Sequence, residues 1–200
     1  MNHFSLKSFL TTNLSISEDE LDAIQKSCII KNYPKDAFLL RENEHCRHIL
    51  FVEEGLLKQY AIDEKGKEHI LHFATEGWFL TDRESVYFHQ PSKYFIQTLE
   101  PSRIAFIDDG FLQKLEKKSA KFRDFYNLLL HEQIRYLQAR VMMLMSQTAE
   151  ERYLQFTKTY PDILLRIPQT MVAAYLGIAL ESLSRVRKEL AFKNFRNITT

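Results

Sequence analysis

From Phe111 to Gln147 the chain holds neither glycine nor proline. These are the two residues that interrupt helices most effectively. The stretch FLQKLEKKSAKFRDFYNLLLHEQIRYLQARVMMLMSQ therefore reads as helix throughout. From Ser119 to Ser146 it spans roughly 40 Å at about 1.5 Å per residue, long for an element buried in one small domain. Leu130, Ile134, Leu137, Val141 and Leu144 alternate in spacings of four and three, the pattern of a heptad seam. Two readings are open: a dimer interface supported by the domains beside it, or a helix packed on its own sheet. Met142, Met143 and Met145 widen the apolar face as packing fill.

The chain before this helix has a different texture. SEDE predicts a helix start, with Ser17 as N-cap and Glu20 closing a capping box; the helix runs to about Lys26 with Leu21 and Ile24 on one side. From Ala37 to Ile107, AFLL, HILFVEEG, LLKQYAI, EHILHFA, KYFIQTL and RIAFID are short β-branched and aromatic runs punctuated by turn formers. Many evenly spaced short strands point to a sandwich, jelly roll or barrel. IDEKGKEH reads as a hairpin tip, with Gly66 at the positive-φ position.

After the long helix, TAEE repeats the capping-box pattern with Thr148 and Glu151, and Pro161 ends the helix that follows. LLRIP reads as an extended link, and Pro168 favours a new helix start. The segment QTMVAAYLGIALESLSRVRKEL then fits a helix-turn-helix. Ala173 is small where two helices cross closely, and Gly177 permits a left-handed turn. Val172, Leu176, Ile178, Leu183 and Val186 fill the wedge between the helices. Leu180, Glu181, Ser184, Arg185 and Lys188 are left on the outer face of the second helix, where a major-groove reader projects them. The tail AFKNFRNITT leaves room for at most one short strand or a frayed end.

Charge supports this reading weakly. Residues 151–200 carry eight Lys/Arg and four Asp/Glu, or +4, which leaves −3 for the remainder of a chain of net charge +1. A basic end on an acidic body suits a nucleic-acid module joined to a sensing domain, although solvated helix faces give similar counts.

Other classes find little support. No apolar run approaches the roughly 20 residues of a membrane span, and MNHFSLKSFLTTN lacks a signal layout; a cytoplasmic protein is expected. Cys28 and Cys46 stand apart and read as ordinary thiols. His69 and His72, three apart in a strand-like run, fall on opposite faces and read as packed or solvated side chains. No cofactor and no metal is expected. Paired carboxylates, a phosphate-cradling loop and a Ser nucleophile motif are missing, so the chain is not read as an enzyme.

PKDAFLLRENEHCRHILFVEEGLLKQYAIDEKGKEHILHF resembles the first half of the cyclic-nucleotide-binding-type β-roll of the Crp/Fnr-family transcription regulators. The long helix takes the place of that family's dimerisation helix, and GIALESLSRVRKEL resembles its turn and recognition helix. The expected fold is α+β: a jelly-roll-like sensor domain at 1–118, a dimerisation helix at 119–146, and a helix-turn-helix domain at 147–200 with a short or absent wing. The resemblance implies a homodimer, through Leu130, Ile134, Leu137, Val141 and Leu144. It also implies binding to a palindromic double-stranded DNA promoter site and contact with RNA polymerase. The alternative is a ligand-sensing or protein-interaction module that does not bind DNA.

Three departures qualify the resemblance. The family's cyclic-nucleotide pocket carries a Gly-Glu pair and, further on, an Arg-Ser pair; the first is matched here to Gly77 and Trp78, the second to Ser92 and Lys93. Without the carboxylate and the Arg fork, cAMP is not the expected ligand. A different small-molecule effector near Trp78, Tyr94 and Phe95, or none, is left open. The family's sensory Cys cluster and haem ligands have no counterpart. Leu180 stands where a base-contacting Arg often opens the recognition helix, while Glu181 and Arg185 match base-reading positions. Arg185 suits the O6 and N7 of guanine, and Glu181 the N4 amine of cytosine. Ser184, Arg187 and Lys188 suit phosphates, although for Arg187 and Lys188 a solvated helix end is an equal reading.

Overall fold

The computed structural model describes residues 4–13 and 18–198. The apolar alternation of the first half folds as β1 (Cys28–Tyr33), β2 (Phe38–Leu40), β3 (His48–Glu54), β4 (Leu57–Ile62), β5 (Glu68–Ala74), β6 (Phe79–Leu80), β7 (Phe95–Thr98) and β8 (Ser102–Asp108). They make two antiparallel sheets, ordered β1-β8-β3-β6 and β2-β7-β4-β5. Leu50, Val52, Leu57, Ala74, Ile96 and Ile104 form the core between them. The hairpin tip between β4 and β5 has Gly66 at φ 78°, and Asp63 Oδ1 accepts the Lys65 and Lys67 N–H groups.

The helices are α1 (Leu6–Asn13), α2 (Glu18–Ser27), α3 (Arg83–Phe88), α4 (Asp109–Lys118), α5 (Ala120–Ser146), α6 (Ala149–Thr159), α7 (Gln169–Leu176) and α8 (Leu180–Ile198). The sequence reading missed α1, α3 and β1. The first is a short Thr-rich segment that forms because Leu6 and Leu10 are buried and Glu53 of β3 accepts the Leu6 N–H at 2.9 Å. The second starts at Asp82, whose carboxylate caps the Glu84 and Ser85 N–H groups. β1 is an edge strand with Ile29 and Ile30 exposed, so its burial pattern does not alternate. The Ser17 capping box lies outside the described residues, while Leu21 and Ile24 are buried as expected. The long run is two helices, broken at Ser119, which caps α5 through the Phe122 N–H. The Thr148–Glu151 capping box is present. LLRIP is not extended: Ile163–Leu165 make a 3-10 turn that buries Ile163. The tail carries no strand among the described residues, because α8 continues through it to Ile198.

Helices cover both outer sheet faces. α1, α2, α4 and the start of α5 pack on Ile49, Phe51, Ala105 and Ile107. On the other side Leu56, Tyr60, Ile70 and Phe73 share one core with Phe156, Tyr160, Val172, Tyr175, Leu176 and Leu183. The C-terminal helices are thus built into the roll's own packing rather than tethered to it.

Candidate nucleic-acid interface

The helix-turn-helix is held by the residues its spacing singled out. Gly177 ends α7 in the left-handed region at φ 66° and donates to the Ala173 and Ala174 carbonyls. A side chain there is strained by the backbone, and its Cβ would also stand 3.5 Å from Leu144 of α5. Val172, Ala173, Leu176, Leu183 and Val186 are buried, and Ile178 packs against them. Arg152 fastens the turn to the long helix, donating to the carbonyls of Leu144 (2.8 Å), Gln147 (3.0 Å) and Leu176 (3.0 Å).

Packing of Leu183 and Val186 decides what α8 shows to solvent. Leu180, Glu181, Ser184, Arg185 and Lys188 are exposed, and Arg187 is half-buried on the flank beside Leu183. Among the described residues none of Glu181, Arg185, Arg187 and Lys188 takes part in an ion pair. Other cations of the basic end are committed. Arg166 grips Glu76 at 2.8 Å and Glu100 at 2.5 Å, and Lys193 grips Glu150 at 2.7 Å. The charge count alone could not make that distinction. Burial works against the Arg166 charge, but its two carboxylates more than compensate and hold its pKa above the usual range.

The long helix has two faces. Phe122 and Met143 are buried, and Tyr136 and Arg140 point into the body, where the Tyr136 hydroxyl lies 2.8 Å from that of Tyr175 and 3.1 Å from that of Tyr160. The heptad seam lies on the other side: Ile134, Leu137, Val141 and Leu144 are 40–53% exposed, with Leu130 half-buried. The heptad seam is therefore not the face by which this helix packs on the body. Met143 alone of the three methionines is packing fill; Met142 and Met145 are exposed.

The residues matched to an effector pocket do not form one site. Trp78 stacks on Tyr160, with ring centroids 5.6 Å apart, and meets His72 edge-on at 5.4 Å. Ser92 lies elsewhere, buried, donating to Asp82 Oδ2 at 2.6 Å and accepting the Tyr94 N–H. Lys93 is exposed and bound to Glu84 at 3.0 Å. A buried carboxylate does lie beside Ser92: it is Asp82, four residues after Trp78, which also caps α3. Gly77 and Trp78 instead line a cavity beyond the roll interior. The sequence reading fixed on Gly77 of EGWFLTD and passed over Asp82.

His69 is exposed and bonded to Asp63, whereas His72 is packed among Trp78, Tyr136 and Arg140. Cys28 and Cys46 are free thiols, and burial pushes Cys28 up to about 11. Among the described residues no group of three or more His, Cys, Asp or Glu is placed to hold a metal ion. Among them, too, no helix is long and apolar enough to cross a membrane.

The two-sheet roll is thus followed by a long helix with a bare apolar seam and by a terminal helix-turn-helix. Residues 30–119 match the cyclic nucleotide-binding domain family. The anaerobic regulatory protein of Haemophilus influenzae is 27% identical over 185 residues, covering 86% of this chain and 71% of the relative. Among solved structures, FixK2 from Bradyrhizobium japonicum is similar with a TM-score of 0.73 at 18% identity, covering 84% of this chain and 86% of that one. A Crp/Fnr-family transcriptional regulator from Eubacterium rectale has a TM-score of 0.69 at 18% identity, covering 92% and 87%. The chain thus carries a cyclic nucleotide-binding domain at residues 30–119 and is similar over most of its length to regulators of the Crp/Fnr family.

Proposed function

We propose that the chain is a sequence-specific DNA-binding transcription regulator that acts as a homodimer on a two-fold-symmetric promoter site. The observation that carries this is the exposed face of α8. Glu181, Ser184, Arg185 and Lys188 stand unpaired on its first turns, and the rigid Gly177 turn sets their direction. Arg185 donates to a guanine, Glu181 accepts from a cytosine, and Leu180 meets a thymine methyl. Ser184, Arg187 and Lys188 hold phosphates and set register.

The bare seam of α5 supports the dimer. Two recognition helices must stand about 34 Å apart to enter successive major grooves, and pairing of Leu130, Ile134, Leu137, Val141 and Leu144 with a second copy fixes that distance. In this reading 1–118 is a sensory roll, 119–146 the dimerisation helix and 147–200 the reading head. The resemblance to Crp/Fnr regulators extends the proposal to contact with RNA polymerase. Selection of bound double-stranded DNA from a random pool tests the proposal. A two-fold-symmetric consensus is expected; a folded dimer that selects nothing would leave a ligand-sensing module.

A further inference from the structure

A cavity of about 620 Å³ lies on the outer face of the β1-β8-β3-β6 sheet, bounded by α1 and by α5 from Phe122 to Ala139. Its size is that of a small-molecule site. Most of its wall is apolar, with Phe9, Phe79, Phe125, Tyr126 and Trp78 prominent. Arg83 and His72 are its polar neighbours on the sheet side, and Arg83 Nε and His72 Nε2 are buried without a hydrogen-bond partner. Arg83 donates to the Tyr126 hydroxyl at 2.6 Å, but among the described residues it forms no ion pair.

The charges around the cavity sum to one unanswered cation. Glu132 and Arg135 pair with each other. His72 is neutral near pH 7, since burial and then Arg140 push it down to about 4. Glu116 feels the Arg83 charge without reaching it; burial and Asp109 raise its carboxyl, and its Oε1 is itself buried and unbonded. Arg83 is half-buried, with the Tyr126 hydroxyl and ring as neighbours but no carboxylate, so an anion there gains a charge-assisted contact. The complement of this cation in an aromatic cavity is an anionic head on an apolar body.

We propose that this cavity binds an amphipathic monocarboxylate, with the carboxylate on Arg83 and the body between Phe9, Phe79, Phe125 and Trp78. Fatty acids and aromatic acids share this chemistry. The wall also leads toward the reading head. Tyr136 lines the cavity and reaches the hydroxyl of Tyr175 on α7, and Trp78 stacks on Tyr160. A ligand pressing on Tyr136 and Trp78 repacks the support of α7 and changes DNA affinity. This second step rests on the proposed DNA binding; the site does not.

Trp78 is the one tryptophan of the chain, so its fluorescence reports occupancy. The full chain is titrated with decanoate, 2-naphthoate and decanol. Saturable quenching by decanoate or by 2-naphthoate is expected, and which of them binds more tightly tells the aliphatic source from the aromatic one. Decanol should bind at least about tenfold more weakly than decanoate, and Arg83→Gln should weaken the carboxylate by about ten- to a hundredfold, as loss of a charge-assisted contact implies. Calorimetry on Ala139→Phe, which fills the cavity, should show no saturable heat. Three results overturn the site: no response to either carboxylate, equal responses to decanol and decanoate, or unchanged affinity in an Arg83→Gln variant that unfolds like the wild type. Tyr136→Phe should still bind the carboxylate while the ligand loses its effect on the selected DNA; an undiminished effect would overturn the coupling. A wild type that binds carboxylate but no DNA would defeat the proposed function and leave the site standing.

Discussion

Arg140 reaches out of the long helix and lies over Tyr175, its guanidinium carbon 3.5 Å from the ring centroid. The same side chain donates to the Tyr175 carbonyl and, at 3.3 Å, to the Ile70 carbonyl. One cation thus ties α5 to β5 and to α7. Arg140→Ala leaves two carbonyls without their donor and removes a cation–π contact, a loss of about 2–4 kcal/mol. Arg140→Lys should recover less than half of this, because an ammonium lacks the planar fork. Urea unfolding followed by circular dichroism measures both.

Arg185 and Lys188 should fail in different ways. Arg185→Ala is expected to cost about 1–3 kcal/mol at the selected site and to relax preference at one base pair per half-site. Lys188→Ala should weaken all sequences evenly and lower the salt slope by about one. Titrations of matched and mismatched duplexes at several salt concentrations separate them; unchanged preference in Arg185→Ala defeats the base-reading assignment.

Leu137 is 49% exposed at the middle of the seam. Leu137→Lys sets two ammonium groups against each other in a parallel pair. The expected loss is several kcal/mol of association with little change in the protomer, whose core does not include this side chain. Sedimentation should show a monomer that no longer holds the symmetric site. A dimer of undiminished stability would place the interface elsewhere.

Acid should destabilise the protein in two stages. His72 is neutral in the fold down to about pH 4, whereas the unfolded chain takes up the proton near 6.5. The unfolded state binds more protons in that window, so stability falls as pH drops from about 6.5 towards 4. Burial acts to raise Glu76, but the hydrogen bonds and charge of Arg166 outweigh it and hold the carboxyl below its usual value of 4.5. Its contribution is intact above about 4.5 and is lost as pH falls through the depressed value. His72→Phe should remove the upper stage and Glu76→Gln the lower one, read as urea midpoints against pH.

Cyclic AMP is expected to produce no saturable heat at millimolar concentration and no change in DNA affinity. No arginine stands between Pro91 and Phe95, and Lys93 is turned outward to Glu84. Asp82 is already engaged by Ser92 and by two N–H groups of α3. Micromolar binding would require an anchor outside these residues.

Much of this architecture is written in local pattern. The turn at Gly177, the wedge from Val172 to Val186 and the capping box at Thr148 depend on residues close in sequence, and each was legible there. What escaped depends on distant partners. α1 forms around Glu53, forty-seven positions from the N–H it accepts. Tyr136, Tyr160 and Tyr175 look like separate aromatic residues until folding brings their hydroxyls together. Asp82 was missed because its meaning lies in Ser92, ten positions away. The basic excess of the C-terminal quarter was legible as a number, but only the fold shows that Arg166 spends its charge on Glu76 and Glu100.

Tyr60, Ile70 and Phe73 of the roll lie in the same core as Phe156, Tyr175 and Leu183. The molecule therefore has no wrist. A turn of α8 against the roll must break and remake that core, which is dear for a close-packed interior. In the proposed homodimer, accommodation to a site of different half-site spacing falls instead to the crossing of the two long helices. Such a pair opens and closes like scissors, with each blade and its handle forged in one piece.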